Sequence, residues 1–241
     1  MGINLASIKI LIIVPAFNES GNIARTIADI KKQQLPVDIL VIDDGSRDTT
    51  AQEAAEAGVM VVSLPVNLGI GGAVQTGFKY ALQYDYDIAV QMDGDGQHDG
   101  SFLLKLVTPI LNEQVDMVIG SRFVEDNGGF KSSFVRRIGI HFFVNLINVL
   151  TGLKVTDPTS GFRAHNKKII EAFARKYPLD FPEPEAIVVA KQLGSHIAEV
   201  SVLMRKREDG RSSIGNLKSL YYMVKVTFAI CLLMIRSEHL K

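Results

Sequence analysis

A short apolar run passes directly into a cluster of acidic and amide side chains at residues 88–99, which read Ile88-Ala89-Val90-Gln91-Met92-Asp93-Gly94-Asp95-Gly96-Gln97-His98-Asp99. The apolar part predicts a buried strand, and the glycines allow a tight turn after it. Carboxylate and amide oxygens at the end of a strand suit a hard divalent cation such as Mg²⁺ or Mn²⁺, which would hold a diphosphate. A polar surface turn is the alternative for so short a motif.

Strand and helix alternate through the chain before this stretch. We predict strands at residues 9–14, 37–42 and 59–64, and helices at residues 21–34 and 48–57. Residues 67–72 should lead into a third helix that ends at about residue 83. Ser20 or Asn22 would cap the first helix. The alternation predicts an α/β fold with a Rossmann-like, mostly parallel sheet and helices on both faces.

Polar residues follow each predicted strand. Ligands of doubly wound sheets bind at the carboxyl ends of the strands. We therefore expect residues 15–19, Asp43 with Asp44, and residues 93–95 to meet at one edge of the sheet. This convergence favours a binding site over a surface turn.

A glycine-rich segment follows the third strand and resembles the start of the dinucleotide-binding pattern G-x-G-x-x-G. It begins at Gly69, but Val74 stands where the third glycine should be. The segment also follows the third strand rather than the first. We therefore interpret its glycines as allowing close packing of helix on sheet, and we expect no NAD site.

Composition limits the possible partners and the compartment. The 241 residues allow one large α/β domain, alone or with an appendage. Lys+Arg and Asp+Glu both number 26, and this balance argues against electrostatic binding of nucleic acid. The single cysteine, Cys231, excludes an internal disulfide and indicates a reducing compartment.

The alternation loosens after residue 100. We predict two more strands, one at residues 116–119 and a last one at residues 196–202. We also predict loops at residues 125–133 and 156–163, and helices at residues 101–112, 134–153, 167–176 and 183–193. The helix at 134–153 begins with Arg136 and Arg137 and then becomes apolar. This pattern suits a helix at a membrane surface, and a core helix equally.

The end of the chain is apolar. Residues 220–235 contain only Lys225 and Thr227 as polar residues, and this run is shorter than the ~20 residues of a spanning helix. We predict a catalytic domain at residues 1–213 and a tail with a C-terminal apolar helix at residues 214–241. The tail would lie in the membrane interface, span the membrane with Lys225 reaching its surface, or join two proteins.

Seven segments together resemble family 2 glycosyltransferases of the GT-A fold. They are residues 14–19, 41–50, 67–69, 92–98 and 120–122, then Asp157 with residues 160–163, and Arg207-x-x-Gly210-x-Ser212. The most similar branch includes dolichol-phosphate mannosyltransferases and bacterial polyprenyl-phosphate glycosyltransferases. Each segment alone is a weak signal, but seven in the same order and spacing are a strong one.

The resemblance implies a site for a nucleoside-diphosphate sugar and a metal ion. The nucleotide-sugar-binding residues would be Pro15, Ala16, Asn18, Glu19, Asp43, Asp44, Gly69, Asp93, Gly94 and Asp95. Mg²⁺ or Mn²⁺ would be bound by Asp93, Asp95 and Gln97. Asp44 could instead only cap the helix that follows it, and His98 is either a structural hydrogen-bonding group or a catalyst.

The resemblance also implies catalytic and acceptor-binding residues. Catalysis would involve Asp93, Asp95, Asp157 and Arg122. The acceptor phosphate would be bound by Arg122, Arg136, Arg137, Arg163 and Arg207, since a guanidinium group pairs with phosphate oxygens. Taken alone, each arginine is equally a solvated surface charge, and Asp157 could merely begin a turn.

The acceptor is the main open choice. A hydroxyl acceptor needs a general base, whereas a lipid phosphate, with its second pKa at about 6, is already charged at neutral pH. Hydroxyl-accepting relatives usually carry a Glu-Asp pair where residues 181–186 read Phe-Pro-Glu-Pro-Glu-Ala. We therefore predict an inverting, metal-dependent transfer of a sugar from a UDP- or GDP-sugar to a polyprenyl phosphate such as dolichyl or undecaprenyl phosphate.

Two alternatives and the cellular setting remain open from the sequence. One is a family 2 enzyme of cell-surface polysaccharide synthesis that acts on a saccharide hydroxyl, with Glu183 or Glu185 as base. The other is a non-catalytic protein that binds a nucleotide sugar. We expect the chain at the cytoplasmic side of a membrane, peripheral or anchored by its tail, with a small membrane protein or a second copy as partner.

Overall fold

The computed structural model describes residues 5–125, 134–180, 182–205 and 224–234, and only the backbone of residues 134–138. The strands are β1 (Ile10–Ala16), β2 (Asp38–Asp43), β3 (Met60–Ser63), β4 (Ile88–Gln91), β5 (Met117–Ser121), β6 (Arg163–Asn166) and β7 (Ile197–Ser201). The helices are α1 (Asn22–Lys32), α2 (Thr50–Glu56), α3 (Gly69–Gln83), α4 (Leu103–Leu111), α5 (Phe134–Thr151), α6 (Lys167–Arg175) and α7 (Pro182–Gln192).

The strands form one seven-stranded sheet in the order β3-β2-β1-β4-β6-β5-β7. Only β6 runs antiparallel to its neighbours, β4 and β5, and the other pairs are parallel. The predicted mostly parallel α/β sheet is therefore confirmed. Because β4 and β5 are both antiparallel to β6, their carboxyl ends lie at the same edge as those of β1 and β2.

The strand β6 was not predicted, because its residues lie in and beside the predicted loop at 156–163. Its sequence, Arg-Ala-His-Asn, is short and polar and lacks the residue types that favour strands. Pairing on both sides with β4 and β5 supplies the burial that its composition does not predict.

Apolar side chains cover both faces of the sheet. Alternate residues of β1 point to opposite sides, so that Ile13 packs in the core beside α3 and Ile12 in the core beside α1. Phe78 of α3 and Ile27 of α1 are almost fully buried in these two cores. The predicted helices on both faces are confirmed.

The start of α1 differs from the prediction. Neither Ser20 nor Asn22 caps the helix, and the N-cap position is held by Gly21 with φ of 78°. The Ser20 hydroxyl instead contacts Thr49 and Glu53 of the loop and helix that follow β2. Gly21 is suited to this position because a glycine adopts positive φ without a steric cost.

The described part of the tail, residues 224–234, is helical. Val226 and Ile230 are fully buried in the core that also contains Phe143 and Ile147 of α5. Val224 and Phe228 face outward, with 62% and 68% of their surface exposed. Among the described residues, no helix combines the length and apolarity needed to cross a membrane.

Candidate active site

Three polar segments meet at the carboxyl edge of the sheet, as predicted. Ala16 at the end of β1 pairs with Asp43 at the end of β2. The chain after β4 continues alongside β1, where Gly94 N donates to Pro15 O at 3.3 Å. These bonds place the acidic loop, residues 93–99, next to the ends of β1 and β2.

The loops after β1 and β2 are bound to each other. Asn18 N donates to Ser46 Oγ at 2.9 Å, and Asn18 Oδ1 accepts from Arg47 N at 2.9 Å. Glu19 N donates to Thr50 Oγ1 at 2.8 Å. This cross-linking fixes the two segments that were predicted to contact a nucleotide.

Two neighbouring aspartates serve these loops differently. Asp43 is 5% exposed and accepts from Ser46 N at 3.1 Å. Asp44 accepts from Leu68 N at 2.7 Å and from Gly69 N at 2.9 Å, and burial raises the pKa of Asp44. Asp44 thus holds the beginning of α3, not of the helix that directly follows it in sequence. Because the chain itself engages both oxygens of Asp44, its role in this structure is to fix the Gly69 turn.

The acidic loop exposes its first two carboxylates in part. The Asp93 side chain is 35% exposed, and Asp95 is half-buried and accepts from Gln97 N at 3.0 Å. Asp93 N donates to Nδ1 of His98, which is buried and stacked on Phe162 with 5.0 Å between ring centroids. Burial lowers the pKa of His98 to about 4, so the neutral ring acts as a structural hydrogen-bonding group at neutral pH.

A glycine of the 160–163 segment lies directly against Asp93. A Cβ atom added to Gly161 would lie 2.9 Å from Asp93 Oδ2 and 3.0 Å from Oδ1. A side chain at this position would therefore displace the carboxylate. Gly161 is not among the predicted site residues, although it belongs to the Ser-Gly-Phe-Arg segment that carries part of the family resemblance.

Arg205 connects the acidic loop to α1. Its backbone N donates to Gln97 O at 2.8 Å, and its guanidinium contacts Asp29 of α1 at 3.0 Å and Asp99 at 2.9 Å. Asp29 in turn accepts from Gly100 N at 2.7 Å. Sequence reasoning missed this cluster because its members come from three distant parts of the chain.

The side-chain oxygens of the acidic loop suit a cation that is also bound by the phosphates of a substrate. No group of three or more His, Cys, Asp or Glu side chains able to hold a metal ion occurs in the described part of the chain. Asp93, Asp95 and Gln97 offer two carboxylates and an amide. Mg²⁺ is usually bound by one or two carboxylates together with substrate phosphates, and this set fits that pattern.

A buried ion pair lies at the end of β5. Arg122 donates through Nε to Asp157 Oδ2 at 2.6 Å and through Nη2 to Asp157 Oδ1 at 2.7 Å. Nη2 also donates to Thr159 Oγ1 at 2.9 Å. The Asp157 side chain is fully buried, and 13% of the Arg122 side chain is exposed. These contacts orient the guanidinium and do not involve Nη1.

The loop that carries Asp157 is held by Glu199 of β7. Glu199 Oε2 accepts from Thr156 N at 2.8 Å and from its hydroxyl at 2.7 Å, and Oε1 accepts from Asp157 N at 2.9 Å. Burial raises the pKa of the Glu199 carboxyl. No motif pointed to Glu199, which is 42 residues from Asp157 in sequence.

Arg163, another arginine predicted to bind the acceptor phosphate, does not join this site. Arg163 is fully buried and donates to the backbone carbonyls of Ser160, Pro158 and Glu183 at 2.7, 2.9 and 2.7 Å. Its assignment to an acceptor phosphate was therefore wrong in this structure, because its guanidinium joins the 158–160 loop to α7. The side chains of Arg136 and Arg137, and the whole of Arg207, lie outside the described residues.

Two glutamates of α7 have perturbed acidities. Burial raises the pKa of Glu183, nearby Asp93 raises it further, and Arg163 opposes the shift. Burial and Asp180 raise the pKa of Glu185 to about 7, against the attraction of Lys225. Asp93 and Arg163 thus influence the acidity of Glu183, whereas Asp180 and Lys225 influence that of Glu185.

The sequence matches a family of glycosyltransferases, and the fold is of the GT-A type. Residues 11–173 match the family described as "Glycosyl transferase family 2". The match covers more than half of the chain, which therefore belongs to this family.

Individual relatives agree with this assignment. The chain is 30% identical over 221 residues to the UDP-N-acetylglucosamine–dolichyl-phosphate N-acetylglucosaminyltransferase of Methanococcus voltae, covering 82% of this chain and 86% of the relative. It is 30% identical over 220 residues to the undecaprenyl-phosphate mannosyltransferase of Micrococcus luteus, covering 86% and 88%.

A solved structure shares the fold. Glucosyl-3-phosphoglycerate synthase from Mycobacterium tuberculosis matches with a TM-score of 0.73 and 23% identity over 95% of this chain and 80% of that one. A second structure of the synthase, in complex with Mn²⁺, UDP and phosphoglyceric acid, matches with a TM-score of 0.71 and 24% identity over 95% and 79%.

Proposed function

We propose that this glycosyltransferase moves a sugar from a UDP- or GDP-sugar to a polyprenyl phosphate, with inversion at the anomeric carbon and with Mg²⁺ or Mn²⁺. One observation carries the proposal. The acidic loop and an oriented arginine lie at the same sheet edge, because Gln91 of β4 and Ile119 of β5 both pair with Arg163 of β6. Asp93 and Arg122 follow those two strands, which are about 10 Å apart.

One half of this edge suits the donor. We call residues 15–19, 43–50 and 93–98 the donor half. Its loops are fixed to each other, and its half-exposed carboxylates can hold a diphosphate through a divalent cation. The Mn²⁺ and UDP bound by the structural relative support this assignment of donor and metal.

The other half suits an anionic acceptor. We call Arg122, residues 156–160 and Glu199 the acceptor half. Asp157 engages Nε and Nη2 of Arg122, and we assign Nη1 to an oxygen of the acceptor phosphate. The relatives named for dolichyl phosphate and undecaprenyl phosphate, aligned over most of their lengths, support a lipid phosphate.

The proposed reaction is a single displacement. A phosphate oxygen of the acceptor forms a bond to the anomeric carbon while the bond from that carbon to the nucleoside diphosphate breaks. The acceptor phosphate is already charged at neutral pH, so no residue has to remove a proton. The bound cation would offset the charge that builds on the leaving diphosphate. The part of Arg122 is to place the attacking oxygen.

The proposal includes a division of the chain and a location. Residues 1–213 form the catalytic domain, and residues 214–241 form a tail that associates with the membrane or with a protein partner. The exposed apolar side chains of the tail helix, Val224, Phe228 and Leu232, support this role. The enzyme would act at the cytoplasmic face of the membrane.

Transfer to a saccharide hydroxyl is the second candidate. The position and acidity of Glu183 favour it, since burial and Asp93 raise the pKa of this carboxyl at the edge of the site. A group with a raised pKa can act as general base. Replacement of Glu183 by Gln would then abolish turnover and leave donor binding intact.

An acceptor panel tests the proposal. Purified protein is incubated with Mg²⁺ or Mn²⁺, a set of UDP- and GDP-sugars, and either undecaprenyl phosphate or saccharide acceptors, and the products are identified by mass spectrometry. We expect a sugar-phosphate lipid that is absent with Asp95→Asn. Products on saccharides alone, lost with Glu183→Gln, would contradict the lipid acceptor and establish the second candidate.

A further inference from the structure

Glu199 holds the backbone of the acceptor half at two successive residues. One oxygen accepts from Thr156 N and Oγ1, and the other accepts from Asp157 N. A carboxylate is the side chain that offers two such acceptor oxygens at once. A neutral amide at this position would leave one backbone N–H without its acceptor.

The contacts continue from this backbone to the arginine. Thr156 Oγ1 lies 2.6 Å from Ser121 Oγ, at the end of β5. Asp157 pairs with both Nε and Nη2 of Arg122, and Oδ2 also accepts from Arg122 N at 3.2 Å. Because Asp157 is fully buried, the position of its backbone determines where the guanidinium points.

Among the described residues, Glu199 forms no hydrogen bond to Arg122 or to the acidic loop. All three of its hydrogen bonds go to residues 156 and 157. Its strand, β7, is the outermost of the sheet and pairs in parallel with β5, where Glu199 lies beside Ile119. Any influence of Glu199 on the reaction therefore has to pass through the loop and Asp157.

We propose that Glu199 is a positioning residue, which fixes residues 156–157 so that Asp157 presents Arg122 to the acceptor phosphate. The inference rests on the proposed function, because it takes Arg122 as the phosphate ligand. Loosening the loop should weaken acceptor binding and leave the donor half unchanged.

The first test compares Glu199→Gln with Glu171→Gln, which alters an exposed glutamate of α6. With the full chain, we expect Glu199→Gln to raise the KM for undecaprenyl phosphate about tenfold, the effect of one lost charge-assisted hydrogen bond. The KM for the nucleotide sugar should not change. In an Arg122→Lys background, the same substitution should change the acceptor KM less than twofold, because both act through one group.

The second test does not depend on the acceptor. In protein labelled with ¹⁵N-arginine, the Arg122 Nε–H signal, assigned by its loss in Arg122→Lys, should exchange with water about tenfold faster in Glu199→Gln. Unchanged exchange, or equal effects on donor and acceptor KM that persist in the Arg122→Lys background, would overturn the positioning role. If the Arg122 Nε–H exchanges faster but the enzyme transfers sugar only to saccharides, Glu199 keeps its positioning role and the phosphate acceptor is refuted.

Discussion

Asp93 in the donor half and Asp157 in the acceptor half are held in opposite ways. In the donor half, Asp93 keeps 35% of its side chain exposed. In the acceptor half, Asp157 is fully buried and paired through two hydrogen bonds with Arg122. A half-exposed carboxylate can exchange water for a cation, whereas a buried and paired carboxylate serves to hold its partner.

Asp43 and Asp95 also differ from Asp157 in how far along the chain some of their hydrogen bonds reach. Asp95 accepts from Gln97, two residues away, and Asp43 accepts from Ser46, three residues away. Asp157 bonds to Arg122 across 35 residues and to Glu199 across 42. These bonds of Asp43 and Asp95 lie within local turns, whereas those of Asp157 depend on tertiary structure, so substitutions of Asp95 and Asp157 should separate function from stability.

The largest effect is expected at the donor half. Asp95→Asn should lower kcat/KM by about 10³-fold, because it removes a charge that balances the cation and the leaving diphosphate. The urea midpoint should stay close to that of the wild type, since the side chain is half-buried and serves a local turn. Steady-state kinetics measures the loss of kcat/KM, and urea unfolding measures the midpoint. A variant that loses stability in proportion to activity would contradict this view of Asp95.

The second effect is on stability and belongs to the acceptor half. Asp157→Asn should lower the free energy of unfolding by about 3 kcal/mol, because it leaves the Arg122 charge buried without its partner. The control is Asp85→Asn, which breaks an exposed ion pair with Lys167 and should change little. Equal urea midpoints for these two variants would show that the buried pair does not stabilise this half.

A smaller effect is expected where the 160–163 segment touches the donor half. Gly161→Ala places a Cβ atom 2.9 Å from Asp93 Oδ2 and should weaken metal-dependent donor binding about tenfold. Gly120→Ala crowds Val202 and Phe162 instead, and should affect stability more than donor binding. Calorimetric titration with a nucleotide sugar and Mn²⁺ compares the donor affinities of the two variants. Equal donor affinities of the two variants would show that the Asp93 side chain can move away from the added Cβ atom without loss of binding.

A further effect, on the pH dependence of stability, concerns a carboxylate outside both halves. The pKa of Glu185 is raised to about 7 in the folded protein, so the folded state binds more protons than the unfolded state between pH 4.5 and 7. Stability from this group is present below pH 4.5 and is lost as the pH rises through about 7. The Glu185→Gln variant should therefore have a higher melting temperature than the wild type at pH 8 and the same melting temperature at pH 4. If thermal denaturation shows a difference in melting temperature that does not change with pH, the raised pKa of Glu185 is refuted.

The sequence predicted the donor half better than the acceptor half, for a physical reason. Apolar runs ending in acidic turns placed Asp43 and Asp93 at one edge, and β1, β2 and β4 carry them there. Arg163 has the same residue type as Arg122, and only the tertiary structure shows that it bonds to backbone carbonyls. Glu199 and the strand β6 depend on partners that local patterns do not specify.

Capping residues were also predicted only in part. Ser20 is a favoured N-cap type, but it bonds to the loop and helix after β2, and Gly21 takes its place. Asp44 does hold a helix start, but it is that of α3. In both cases the residue type was informative about hydrogen bonding, and the choice of partner was made by the fold.

The division of the edge into a donor half and an acceptor half is tested most directly by two-substrate kinetics of Arg122→Lys. Lysine keeps the charge but loses the planar group that pairs with Asp157 and a phosphate at once. We predict an acceptor KM raised at least about tenfold and an unchanged donor KM. A raised donor KM with an unchanged acceptor KM would contradict the division, because it would place Arg122 on the nucleotide sugar.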